Sequence, residues 1–218
     1  TILNENVVTM SENELYIRYG GPVFEEQDIL NMAEAVQSIM ESGWLSMGPY
    51  TAKFEGLLAA VVGTQNALFV NSGSSANLLM ASALLQTGRL KPGDELITTA
   101  INFPTCINPF ITGGVTMRFA DVTSAYTLSI DDVERLVSPR TRVVLVTHIG
   151  GLSTDMPQLL ELCRQKGLIL LEDACDALGG KDHGKHLGTW GLMGSYSFYP
   201  SHQIATGEGC AVVTDDEE

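Results

Sequence analysis

The sequence predicts an α/β domain built on a mixed, mostly parallel sheet, and three observations carry that prediction. Short apolar runs recur at residues 67–70, 95–98, 116–119, 143–147, 168–171 and 194–198. Helical stretches at 75–86, 130–137 and 157–166 alternate with them, which is the rhythm of βαβ units. The runs at 67–70, 143–147 and 168–171 are apolar at successive positions, as strands covered on both faces are.

Taken in order, residues 1–24 have weak periodicity and read as an N-terminal arm, and residues 25–218 read as one domain. An amphipathic stretch at 25–41 places Ile29, Met32, Val36 and Ile39 at helical spacing, and Ser42-Gly43 stops it. Gly48-Pro49 leads into a second helical run at 51–62, with Phe54, Leu57 and Leu58 on one side. The alternating strands and helices follow, and 211–214 reads as a last strand. Residues 215–218 resemble the acidic first turn of a further helix, so the domain reads as truncated at its C-terminal end.

A chain of 218 residues that is 44% hydrophobic can bury a sizeable core. Its 26 acidic against 12 basic residues give a formal charge of −14, with no basic run to neutralise a phosphate backbone, which argues against nucleic acid as a partner. Net charge does not exclude a small phosphate held by local amides and hydroxyls. Cys106, Cys163, Cys175 and Cys210 are widely spaced with no CxxC pair, so a reducing cytoplasm is expected and neither a disulfide framework nor a zinc site. His148, His183 and His186 lack metal spacing and read as structural or surface residues. No run of ~18 apolar residues suggests a membrane partner.

Ligands of open parallel sheets gather beyond the carboxyl ends of the strands. After Phe69-Val70 comes Asn71-Ser72-Gly73-Ser74-Ser75-Ala76-Asn77, where free amides and hydroxyls can hold a phosphate, or where Ser74 or Ser75 merely caps a helix. After 95–98 comes Ala100-Ile101-Asn102-Phe103-Pro104, whose Phe103 either stacks on a flat ring or joins the core. After 168–171 comes Glu172-Asp173-Ala174-Cys175-Asp176. A carboxylate there needs a partner, which is a protonated pyridine nitrogen on one reading and a cap or salt bridge on the other. The fourth place is the segment Ser195 to Gly209, which contains Ser197, Phe198-Tyr199-Pro200-Ser201-His202 and Gly207-Glu208-Gly209.

Together these ordered segments resemble the sugar aminotransferase family (DegT/DnrJ/EryC1/StrS type) of fold-type I pyridoxal-phosphate enzymes, from about Gly20 to Glu218. The resemblance implies an aspartate-aminotransferase-like large domain, without the small C-terminal domain, acting in a homodimer. It assigns Gly73, Ser74, Ser75 and Ser197 to the cofactor phosphate. It assigns Phe103 to ring stacking, Asp173 to the pyridine nitrogen, and Asp176 to a polar contact with the ring. At His202 the family pattern carries a lysine that holds the cofactor covalently, which imidazole cannot do, and no lysine follows Lys185. Lys181 and Lys185 lie in a Gly-rich turn and read as solvated loop charges.

A histidine at this position resembles a subgroup, the nucleotide-linked 4-keto-6-deoxyhexose 3-dehydratases. That implies pyridoxamine 5'-phosphate, in place of tethered pyridoxal 5'-phosphate, and a nucleotide-linked 4-keto sugar as substrate. It also implies a reductase or amino donor, and His202 as a base, suited by an ordinary histidine pKa of about 6.5. A sugar transaminase and an inactive cofactor-binding or dimerisation module are the alternatives. Cys175 stands where the first ligand of an iron–sulfur cluster is found in some members; further ligands would lie past Glu218, so no cluster is claimed. Cys210 replaces the glycine usual after Gly-Glu-Gly.

Overall fold

The computed structural model describes residues 24–217, together with the backbone of two short earlier strands. These are β1 (Val7–Ser11) and β2 (Glu14–Ile17), an antiparallel pair. The arm expected over residues 1–24 otherwise lies outside the described residues.

Helix α1 (Glu26–Ser42) is capped where Asp28 accepts the Glu25 backbone N–H at 2.9 Å, and Gly43, at a left-handed φ of 68°, ends it. Its apolar stripe, including Ile29, Met32, Val36 and Met40, is exposed. Helix α2 (Pro49–Val62) starts two residues earlier than expected, because a proline without an N–H suits the first helical turn.

The main sheet contains β3 (Asn66–Val70), β4 (Glu95–Thr99), β5 (Thr116–Ala120), β6 (Thr141–Thr147), β7 (Ile169–Asp173), β10 (Met193–Ser197) and β11 (Cys210–Thr214). The small hairpin of β8 (Lys181–Asp182) and β9 (Lys185–His186) lies between β7 and β10 in sequence. The sheet order is β3-β11-β10-β7-β6-β4-β5. Strand β11 alone runs against its neighbours β10 and β3, and the other pairings are parallel, giving the mixed, mainly parallel sheet that was expected.

Helices α3 (Gly73–Gln86), α4 (Asn108–Thr112), α5 (Ile130–Leu136) and α6 (Met156–Lys166) cover the sheet. Successive strand residues point to opposite faces, so each central strand feeds two cores. Leu96, Val143, Leu145 and Leu171 pack with Leu84 of α3 and Phe110 of α4. Ile97, Val144, Val146 and Leu170 pack on the other face with Val133 of α5 and Met156, Leu159 and Leu162 of α6.

Two expectations need correction. The run at 67–70 is not covered on both faces: β3 is an edge strand with Leu68 45% exposed, and its Phe69 N–H is satisfied by the Glu55 carboxylate at 2.8 Å. The acidic residues after β11 do not start a helix within the described residues. Asp215 accepts the Gln65 N–H at 2.7 Å and Asp216 pairs with Arg89, so these charges tie the ends of β3 and α3 to the sheet.

Candidate functional site

A cavity of about 660 Å³ opens beyond the carboxyl ends of β4, β6, β7 and β10, against the start of α3. It is lined by Gly73, Ser74, Phe103, Asp173, Asp176, Ser197 and His202, which brings together all the residues singled out in the sequence except Ser75.

At the start of α3 the cap is Ser72, whose Oγ accepts the Ser75 N–H at 3.2 Å and whose hydroxyl donates to Ser75 Oγ at 3.2 Å. Ser75 is thereby committed within the turn. The Gly73 and Ser74 amides have no acceptor within the helix, because the first N–H groups of a helix never do, and the Ser74 hydroxyl borders the cavity. A Cβ in place of the Gly73 hydrogen would stand in contact with Cys175, 3.4 Å from Sγ.

The loop after β4 is fixed by Asn102. Its amide donates to Thr98 Oγ1 at 2.9 Å, while its carbonyl accepts from the Thr147 hydroxyl at 2.9 Å and the Phe103 N–H at 2.8 Å. That clamp holds the Phe103 ring at the rim, 66% exposed, and so excludes a core role.

Strand β7 delivers two adjacent carboxylates to opposite uses. Glu172 is fully buried and accepts the N–H groups of Gly188 and Gly191 at 2.7 Å, the Trp190 N–H, and a hydrogen bond with His148 Nε2 at 3.0 Å. It organises the chain that leads into β10. Asp173 faces the cavity and is 5% exposed. Its Oδ1 accepts the Cys175 N–H at 3.0 Å, and its Oδ2 accepts from Asn77 Nδ2 at 3.0 Å and Cys106 Sγ at 2.8 Å.

The His202 segment joins β10 to β11. The His202 N–H bonds the Tyr199 carbonyl at 2.9 Å, and its ring, 19% exposed, bonds Asp176 Oδ1 through Nδ1 at 2.9 Å. Asp176 is held in turn by the Gly150 N–H at 3.1 Å on Oδ2. With Nδ1 committed, Nε2 is the nitrogen left for chemistry. Among the described residues no lysine lines the cavity.

Sequence reasoning missed Asn77, Cys106 and Asn102, and it read His148 as structural or surface. His148 is fully buried in the cavity wall, and its Nδ1 has no partner among the described residues. Cys175 borders the cavity with its Sγ 3.7 Å from Ser195 Oγ, and the neighbouring Cys210 thiol, with burial and the Asp173 charge, pushes its thiol well above the usual range. Among the described residues no helix is long and apolar enough to cross a membrane.

Residues 27–218 match the model of the DegT/DnrJ/EryC1/StrS aminotransferase family. The chain belongs to this family. Among its curated members, a dTDP-4-dehydro-2,6-dideoxy-D-glucose 3-dehydratase of Saccharopolyspora spinosa is 38% identical over 207 residues, covering 93% of this chain and 44% of that protein. Among solved structures, E. coli GDP-4-keto-6-deoxy-D-mannose-3-dehydratase with bound hydrated PLP superposes with a TM-score of 0.85 at 33% identity, covering 92% of this chain and 51% of that one. Helicobacter pylori PseC, an aminotransferase involved in the biosynthesis of pseudoaminic acid, superposes at 0.83 with 29% identity, over 92% of this chain and 52% of its own. The chain thus spans about half the length of the family members it matches.

Proposed function

We propose that this chain forms the cofactor-binding part of an enzyme that removes the C-3 hydroxyl from a nucleotide-linked 4-keto-6-deoxyhexose with pyridoxamine phosphate. The observation that carries the reading is an Asp176-anchored imidazole in a cavity without lysine. The site thus offers an imidazole to act as base and, among the described residues, no amine to tether the cofactor.

The residues fit the cofactor. The cavity lies within the roughly 300–1,000 Å³ of small-molecule sites. Three donors occupy the Asp173 carboxylate, which has about four lone-pair positions, so one remains for a cationic ring N–H. The Gly73 and Ser74 amides and the Ser74 and Ser197 hydroxyls would hold the phosphate, Phe103 would cover one face of the ring, and Asp176 would lie beside it.

When bound, pyridoxamine phosphate supplies an amine for the sugar ketone and a ring that accepts electrons as a C–H bond breaks. Asp173 would keep that ring protonated by pairing with its nitrogen. His202 Nε2 would serve as the base for that C–H bond, and Asp176, paired with Nδ1, would stabilise the imidazolium. The same nitrogen can then protonate the departing hydroxyl. Closure of the site by a second subunit, and a reductase or amino donor to complete turnover, belong to the same proposal.

The test is incubation with pyridoxamine phosphate and a nucleotide-linked 4-keto-6-deoxyhexose, followed by mass spectrometry of the sugar. A 3-deoxy product that is lost in His202→Asn, with cofactor binding kept, is the expected result. Unchanged turnover in that variant, or a cofactor that borohydride fixes to the protein, overturns it. The second result would favour a sugar transaminase.

A further inference from the structure

Asp173 takes three hydrogen bonds, and two of them come from side chains outside its own strand. Asn77 reaches Oδ2 from the second turn of α3 at 3.0 Å, and Cys106 reaches the same oxygen from the 3₁₀ turn Pro104–Cys106 at 2.8 Å. The two donors also touch each other, with Asn77 Nδ2 3.5 Å from Cys106 Sγ. All three residues are buried, at 2%, 0% and 5% exposure for Asn77, Cys106 and Asp173.

A buried carboxylate must be satisfied by donors or lose its charge. Among the described residues, the cavity lining includes no lysine or arginine to pair with it. The thiol of Cys106 can donate only while it keeps its proton, and burial, reinforced by the Asp173 charge, pushes its pKa far above the usual thiol range. It therefore faces Asp173 Oδ2 as an S–H donor. Asn77 is oriented by the same contact: with Nδ2 on Asp173, its Oδ1 stays buried without a partner among the described residues, at the cavity wall.

We propose that Asn77 and Cys106 are positioning residues that hold the Asp173 carboxylate anionic and turned toward the cavity, so that it can bind the cationic ring nitrogen of the cofactor. The pair joins the helix that starts at the phosphate turn to the loop that carries Phe103. One carboxylate oxygen thus registers three elements of the site. This inference rests on the reading of Asp173 as the pyridine partner, and the experiment separates the two.

Affinity for pyridoxamine phosphate is measured by fluorescence titration, and the ring-nitrogen protonation state by the ¹⁵N shift of ring-labelled cofactor, in the 218-residue protein and in Cys106→Ala, Cys106→Ser, Asn77→Ala and Asp173→Asn. Cys106→Ala and Asn77→Ala should each bind about tenfold more weakly, the loss of one hydrogen bond to a charged group. Their ¹⁵N signal should move toward unprotonated pyridine, while Cys106→Ser, which keeps a donor, stays within threefold of the parent. Where alanine lowers the melting temperature below the assay temperature, Cys106→Val keeps the volume without the donor and is compared with Cys106→Ser instead. Wild-type affinity and shift in Cys106→Ala, with both lost in Asp173→Asn, overturn the positioning role alone. Equal losses in the serine and alanine variants also overturn it. If Asp173→Asn itself binds and protonates the cofactor normally, the underlying reading of Asp173 fails.

Discussion

His202 and Asp176 form a unit in which each side chain limits the freedom of the other. The carboxylate accepts the Nδ1–H and is itself held by the Gly150 amide, so the ring can neither flip nor change tautomer without breaking a charged hydrogen bond. Under the proposed mechanism, Asp176→Ala should lower the single-turnover rate of 3-deoxy sugar formation by about 100-fold, within the range that a positioned base contributes. Asp176→Asn, which keeps an acceptor but not the charge, should fall between the two, and parent-like turnover in the alanine variant would remove the pairing from the mechanism. The sequence placed both residues at the end of β7 and in the loop before β11, but nothing in their local pattern links them. The same holds for Asn77 and Cys106, which look like a helix-interior residue and a turn residue. Their common target lies 96 and 67 positions away.

At the scale of elements, close backbone approach decides where β10 can lie. Gly194 is in van der Waals contact with the Gly188 turn, and a Cβ there would come within 2.0 Å of the Gly188 carbonyl oxygen. That turn is the one whose N–H groups Glu172 gathers, so crowding at Gly194 is transmitted to the strand that carries Asp173. Gly194→Ala should therefore lower stability by about 3 kcal/mol, read from the urea midpoint, as overpacking of a closed site does. A shift of less than about 0.5 kcal/mol would show that the turn yields freely. The strands themselves were legible because β6 and β7 are buried at almost every position. Strand β3 misled because Phe69 packs inward on Phe54, at a ring separation of 5.3 Å, while the equally apolar Leu68 faces outward at the sheet edge. Local sequence carries no sign of strand direction, so the reversal of β11 was not readable beyond the expectation of a mixed sheet.

For the molecule as a whole, the charge balance of −14 hides one acidic group that stability depends on. Glu95 begins β4 and is almost fully buried. Its carboxylate accepts from Ser138 at 2.6 Å and Arg140 at 2.7 Å, with Arg118 at 3.5 Å, which gathers β4, β5 and the approach to β6 at the end of the sheet opposite the cavity. The Ser138 hydrogen bond, helped by the two arginines, holds its pKa below the ordinary 4.5 against the effect of burial. A lowered folded pKa stabilises the native state above the unfolded value, and that contribution fades as pH falls from near 4.5 through the folded pKa. Glu95→Gln should be about 2 kcal/mol less stable at pH 7 and should show a shallower loss of stability below pH 4.5 in denaturant titrations. Parallel pH profiles for the two proteins would remove Glu95 from that role. The cavity end of the sheet depends instead on the threading of one late strand. Among the described residues, strand β3 reaches the rest of the sheet only through β11, so its pairing closes a loop that takes in most of the chain. As the polypeptide emerges during synthesis, the early apolar edge can lean on α2 but must wait for β11 before it has a partner strand, and until then the Ser72–Ser75 turn and the His202 loop have no common frame.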